Sequence, residues 1–165
     1  MAALTVGTKA PDFCLSALDD SKFSLEAALR QGPVVAVFFK VSCPVCQYAF
    51  PFFEKLHEAY SSQKVTIVGV SQDNARDTAA FLRDYGVTFR TLLDDPNGYA
   101  VSNAYGLTNV PTLFLIEQDG AIKISNVGWV KQDIDDVNAR LATVQQTPLL
   151  PLFRPSDDVR DFRAG

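Results

Sequence analysis

The sequence predicts an α/β fold in which helices cover both faces of a central sheet, a three-layer α/β/α sandwich. Three features carry that prediction. Residues 34–39 are a continuous apolar run of β-type side chains, the pattern of a strand buried on both faces of a sheet. A second such strand, 64–71, lies between two helical stretches, the alternation expected of a layered α/β domain. Near the end, 113–117 and 121–127 flank Gln118-Asp119-Gly120, a hairpin signal, and a last helical stretch follows. At 165 residues with 47% hydrophobic content, the chain has material for one core and too little for two.

In order, residues 9–18 alternate apolar and polar side chains, the mark of a half-buried strand. Asp19-Asp20-Ser21 turns the chain and 22–25 returns, so the fold opens with an N-terminal β-hairpin. Ser24 caps a helical turn through Leu29, which Gly32-Pro33 closes. The strand 34–41 leads into a helix over 43–60, in which Phe50, Phe53, Leu56 and Tyr60 repeat at helical spacing. Pro51 falls inside that helix and is expected to kink it, because it removes a backbone donor. Asp73 or Asn74 caps the next helix, and Gly86 ends it. A short strand 89–92, a turn 94–98 and a short helix 99–105 precede the closing hairpin, and a helix over 133–145 ends the domain. The domain is thus 1–146, followed by a Pro-rich tail, 147–165, carrying Pro148, Pro151 and Pro155. The tail is expected to be irregular, with Leu149, Leu150, Leu152 and Phe153 available to pack on the domain or on a partner.

A formal charge of −4 and the absence of any Lys/Arg run argue against nucleic acid or an anionic membrane as partner. The longest apolar stretch, 34–39, is far too short to span a bilayer. Residues 1–7 form neither a basic nor an apolar leader region, which favours a cytoplasmic location. A periplasmic or extracytoplasmic one is the alternative if a leader has been removed. Three cysteines do not make a disulfide-dense scaffold.

Cys43 and Cys46 stand where the buried strand gives way to the helix, with Cys43 at or just before the helix N-terminus. The unpaired N–H groups and positive dipole end there favour a thiolate. Three readings share this spacing. Structural zinc needs further ligands, and the chain offers only Cys14 and His57, neither in a paired ligand motif. A permanent structural disulfide would close too small a loop to constrain the unfolded chain much. A redox-active dithiol accounts for strand, C-x-x-C and helix together. Cys14 reads as an inert, partly buried thiol, and His57, three helical turns beyond Cys46, as a surface or packing residue. Trp129 reads as a cap on the core or a flank of a groove.

Ala10-Pro11-Asp12-Phe13, Cys43-Pro44-Val45-Cys46, Phe50-Pro51 and the run from Tyr105 through Val110-Pro111-Thr112 to Ile116 together resemble the thioredoxin fold. The likeness is to its TlpA/ResA-like and AhpC/TSA redoxin branch, over residues 5–145. It implies a central mixed sheet and a thiol–disulfide oxidoreductase with no metal or organic cofactor. It makes Cys43 the exposed nucleophile and Cys46 the resolving thiol, acting through a mixed disulfide. It also implies a cis bond before Pro111, leaving the Val110 backbone beside the sulfurs for a substrate segment to pair with. Pro44, Val45, Val110 and Pro111 are then the substrate-contacting residues.

The sequence departs from that pattern at several positions. Ser42 stands where tryptophan is usual, Ala49 where ResA-like reductases carry glutamate, and 34–39 holds no acid, so the proton acceptor for Cys46 is unassigned. Lys40, the nearest ionisable group in sequence, would favour the Cys43 thiolate if it reached the site. Peroxiredoxins share this fold and carry Pro-x-x-x-Thr/Ser-x-x-Cys. The matching positions are Ala36 and Lys40 before Cys43, or Phe39 and Cys43 before Cys46. Neither alignment supplies the motif. A thiol peroxidase is kept as the alternative because a low-pKa thiolate can reduce peroxide loosely, with a redox-regulated binding module without turnover beside it. Expected partners are protein or small-molecule disulfides and thiols with a regenerating reductant or oxidant, the chain itself being a monomer or weak dimer.

Overall fold

The computed structural model describes residues 2–165. An antiparallel hairpin joins β1 (Cys14–Ser16) to β2 (Lys22–Ser24), and α1 (Leu25–Leu29) follows with Ser24 as its cap. The first strand is shorter than the alternation suggests. Lys9 bridges Ala121, and the Ala10 N–H donates to the Gly120 carbonyl at 2.9 Å, so 9–10 pair with the closing hairpin instead.

The central strand β3 (Val34–Phe39) enters α2 (Pro44–Tyr60), and β4 (Thr66–Ser71) enters α3 (Ala75–Asp84). After β5 (Thr91–Leu93) and a 3-10 turn come α4 (Ala100–Ala104), β6 (Thr112–Ile116) and β7 (Ile122–Val127). A two-residue strand β8 (Trp129–Val130) opens into α5 (Lys131–Gln145). The main sheet has the order β5-β4-β3-β6-β7, parallel on the β3–β4–β5 side and antiparallel on the other. The expected mixed sheet is present.

All six residues of β3 are buried, because alternate side chains enter two different cores. Val35, Val37 and Phe39 meet Phe50, Phe53, Phe81 and Val137 on the face covered by α2, α3 and α5. Val34, Ala36 and Phe38 meet Phe13, Phe23 and Tyr105 under the hairpin and α4. Burying each such side chain contributes about 1.5–3 kcal/mol, so the strand that carries the site is anchored from both faces. Helix α2 runs through Pro51, whose ring lies on the exposed side. Buried Glu54 ties the same helix to the sheet by accepting from the Thr88 N–H at 2.9 Å and from the Thr88 hydroxyl.

The tail is largely irregular, as expected, and its apolar residues pack on the domain. Tyr60 Oη donates to Asn138 Oδ1 at 2.6 Å and accepts from the Leu150 N–H at 2.8 Å. Asn138 Nδ2 donates to the Leu150 carbonyl at 2.8 Å. With both backbone groups of Leu150 satisfied inside the fold, Leu152 enters the core and the Phe153 ring packs 5.2 Å from Phe52. Residues 155–157 form a 3-10 turn, and β9 (Phe162–Arg163) pairs antiparallel with β8.

Replacing Tyr60 by Phe strands Asn138 Oδ1 and the Leu150 N–H. It is expected to cost about 1–3 kcal/mol, seen as a lower midpoint in urea with an unchanged slope. An unaltered midpoint would show that this network does not hold the tail.

Candidate active site

Cys43 is placed by two elements at once. It ends the loop that leaves β3 and is the N-cap of α2, with Pro44 at the first helical position, where a missing N–H leaves no bond unmade. Its Sγ accepts from the Cys46 N–H at 3.3 Å, and its own N–H donates to the Lys40 carbonyl at 3.2 Å. A sulfur in that position takes the role a serine oxygen usually plays at a helix start. Cys43 is half-buried and Pro44 exposed, whereas Val45 and Cys46 are buried.

The two thiols are therefore unequal. Burial pushes the Cys46 thiol far above its ordinary value, and the neighbouring Cys43 and Asp73 push the same way against a main-chain contribution from Lys40. One sulfur is reachable at a helix N-terminus. The other holds its proton.

The Val110–Pro111 bond is cis, as the resemblance implies. The Cys43 S–H donates to the Val110 carbonyl at 3.2 Å, and the Thr112 hydroxyl holds the loop by donating to the Asn109 carbonyl at 2.8 Å. The structure thus brings Cys43, Cys46 and Val110 together, with Pro44 and Pro111 next to them in the chain. The Lys40 side chain is exposed and lines a hollow of ≈ 160 Å³ with Gln72, Leu107 and Val110. Its influence on Cys46 comes through its main chain.

Two residues that the sequence left aside support the loop before Cys43. Asp73 Oδ2 accepts from the Val41 N–H at 2.7 Å, and Gln47 Nε2 donates to the Val41 carbonyl at 3.0 Å. Asp73 and Asn74 compete as caps in the sequence. In the structure Asn74 wins, its side chain accepting from the Asp77 N–H, and the Asp73 carboxylate is free to cross to the β3–α2 loop. Two adjacent capping residues where one suffices is the local sign that could have singled out Asp73.

Cys14 is exposed, which corrects the partly buried reading: Phe13, Leu15 and Ala17 take the inward positions of the alternation and leave Cys14 outside. It belongs to the hairpin layer, across the sheet from α2. His57 packs edge-on at 5.9 Å from Phe89 near the far end of α2, its Nδ1 buried without a partner. Trp129 is fully buried among Tyr48, Phe52 and Phe153. Among the described residues no group of three His, Cys, Asp or Glu side chains is arranged to hold a metal. Nor is any described helix long and apolar enough to cross a membrane.

A thioredoxin-type sandwich with a half-buried and a buried thiol at one helix start is an arrangement suited to thiol–disulfide exchange. The comparisons agree. The model of the AhpC/TSA family matches residues 6–125. The thiol-disulfide oxidoreductase ResA of Geobacillus thermodenitrificans is 33% identical over 134 residues, covering 80% of this chain and 75% of that protein. Among solved structures, a putative thiol:disulfide interchange protein DsbE from Chlorobium tepidum superposes with a TM-score of 0.75 at 24% identity, over 87% of this chain and 99% of that one. The peroxidoxin BcpB from Mycobacterium tuberculosis gives 0.69 at 22%, over 90% and 99%. These two likenesses are of fold. The chain belongs to the AhpC/TSA family, on the thiol–disulfide oxidoreductase side of it.

Because the Asp73 charge raises the Cys46 thiol, Asp73→Asn is expected to lower it, and Asn can still accept from Val41. Release of a chromogenic aromatic thiol from its mixed disulfide with Cys43 should then set in at lower pH than in the wild type. An onset displaced upward would make Asp73 a proton acceptor for Cys46 instead of a repelling charge.

Proposed function

We propose that Cys43 and Cys46 are the redox-active pair of this oxidoreductase and that the Val110 edge presents substrate to Cys43. The observation that carries the reading is the inequality of the two sulfurs: Cys43 is half-exposed at the helix N-terminus, Cys46 sealed beneath it.

In the reducing direction the Cys43 thiolate attacks one sulfur of a substrate disulfide in line with the S–S bond. A Cys43–substrate disulfide forms, and the other substrate sulfur leaves as a thiolate that takes up a proton. Cys46 then gives up its proton to solvent and attacks Cys43 Sγ; the Cys43–Cys46 disulfide forms, the Cys43–substrate bond breaks, and the second substrate sulfur leaves as a thiolate. Two electrons pass from the dithiol to the substrate. Burial keeps Cys46 protonated in the reduced pair, which leaves Cys43 as the attacking sulfur.

Run backwards, the same steps oxidise a substrate dithiol, and the compartment's redox poise sets the direction. A reductant or oxidant of matching chemistry regenerates the pair. Peroxide reduction has less support, because Ala36 and Lys40 supply neither the proline nor the hydroxyl of a peroxidase motif before Cys43.

Cys46→Ser is expected to accumulate a mixed disulfide on Cys43, detected by intact mass, with turnover of a small disulfide reduced at least about 100-fold. Cys43→Ser should form no adduct and show no turnover. Equal residual turnover in the two variants would contradict the roles given to the two sulfurs.

A further inference from the structure

Residues 158–165 lie on the surface but are held there by specific contacts. The Trp129 indole N–H donates to the Arg160 carbonyl at 2.7 Å, and the Arg160 N–H donates to Tyr48 Oη at 3.1 Å. The Lys131 N–H donates to the Asp161 carbonyl at 2.9 Å, extending the β8–β9 pair. The Arg163 guanidinium sits over the Tyr48 ring, 4.7 Å from its centroid, and Tyr48 is two residues beyond Cys46 on α2. These contacts steer the segment to the cis-proline loop.

There the backbones nearly touch. Gly128 has φ +73° and donates its N–H to the Pro111 carbonyl at 2.7 Å. A Cβ on Gly128 would lie 2.6 Å from the Arg163 oxygen and 2.9 Å from the Gly165 nitrogen, a separation only glycine permits. A Cβ on Gly165 would lie 2.6 Å from the Val110 carbonyl oxygen, and Asn109 Nδ2 donates to the Gly165 main-chain oxygen at 3.1 Å. The carbonyl that receives the Cys43 S–H is therefore already crowded by residue 165 of the same chain.

Strand addition needs a free main-chain edge with open space beside it. Covering such an edge with another segment is how folded proteins keep unwanted strands away. We infer that residues 160–165 are a specificity-determining strap on the Val110 edge. A protein segment carrying a disulfide must displace the strap to pair with Val110, whereas a small disulfide reaches Cys43 with the strap in place. The hollow lined by Lys40, Gln72, Leu107, Thr108, Asn109 and Val110 contains no strap residue, so the strap leaves that flank of the Val110 loop open. The inference rests on the thiol-exchange reading and adds to it the class of substrate admitted.

The test compares the full-length wild type with Arg163→Ala on two disulfides, insulin and bis(2-hydroxyethyl) disulfide. Loss of the Arg163–Tyr48 contact is expected to raise kcat/KM for insulin about three- to fivefold and to leave the small disulfide unchanged. A second measurement does not depend on that variant. In full-length Cys46→Ser, hydrogen exchange at the amides of Lys131 and 161–165 should rise when Cys43 carries a cysteine peptide, and not when it carries 2-mercaptoethanol. Equal changes with both disulfides, or protection unmoved by the peptide, would overturn the strap. A wild type that reduces neither disulfide would overturn the thiol-exchange reading beneath it, so the two failures are distinguishable.

Discussion

The structure depends on one hydrogen bond of unusual composition, from the Cys46 N–H to the sulfur of Cys43 at the first turn of α2. It gives the helix its cap and sets the Cys43 sulfur against the first turn. It also fixes the second cysteine one turn in, on the buried face, where desolvation holds its proton. From one local motif come two thiols of opposite character. Side chains from outside the motif then support it. Asp73 and Gln47 bind both backbone groups of Val41, and Glu54 anchors the helix to the strand β5 region.

The sheet makes that motif rigid. A strand with every residue buried can end in one place only, because a slip of one residue would move Val35, Val37 and Phe39 out of one core and into the other. The cis-proline loop reaches the same point from the antiparallel side through β6, the direct neighbour of β3. Sulfur and docking edge are therefore carried on adjacent strands, and their relative position follows from the sheet register.

The parts legible in the sequence were those with short-range signatures. The apolar run of β3, the C-x-x-C at a helix start, the Ser24 cap and the hairpin at 118–120 each declare themselves within a few residues, and all are present. What was hidden depends on distant partners. Asp73 looked like a cap because its contact lies 32 residues away, just past the end of the neighbouring strand, at Val41. The tail's irregular course was legible from its prolines, but not where it docks, because the groups that hold it, Tyr60, Asn138, Trp129 and Tyr48, come from two helices and a strand. Cys14 was misjudged for a smaller reason. Its strand does alternate, and the cysteine takes one of the outward positions.

The most direct measurement is a redox titration of the wild-type protein in glutathione buffers, quenched by alkylation and read by peptide mass spectrometry. The account predicts one two-electron transition in which Cys43 and Cys46 become a disulfide together while Cys14 is alkylated throughout. A potential of about −270 mV would suit a reductant and one of about −120 to −200 mV an oxidant or isomerase, and the account accommodates either. Failure of Cys43 and Cys46 to pair at any poise, or pairing of either with Cys14, would contradict it.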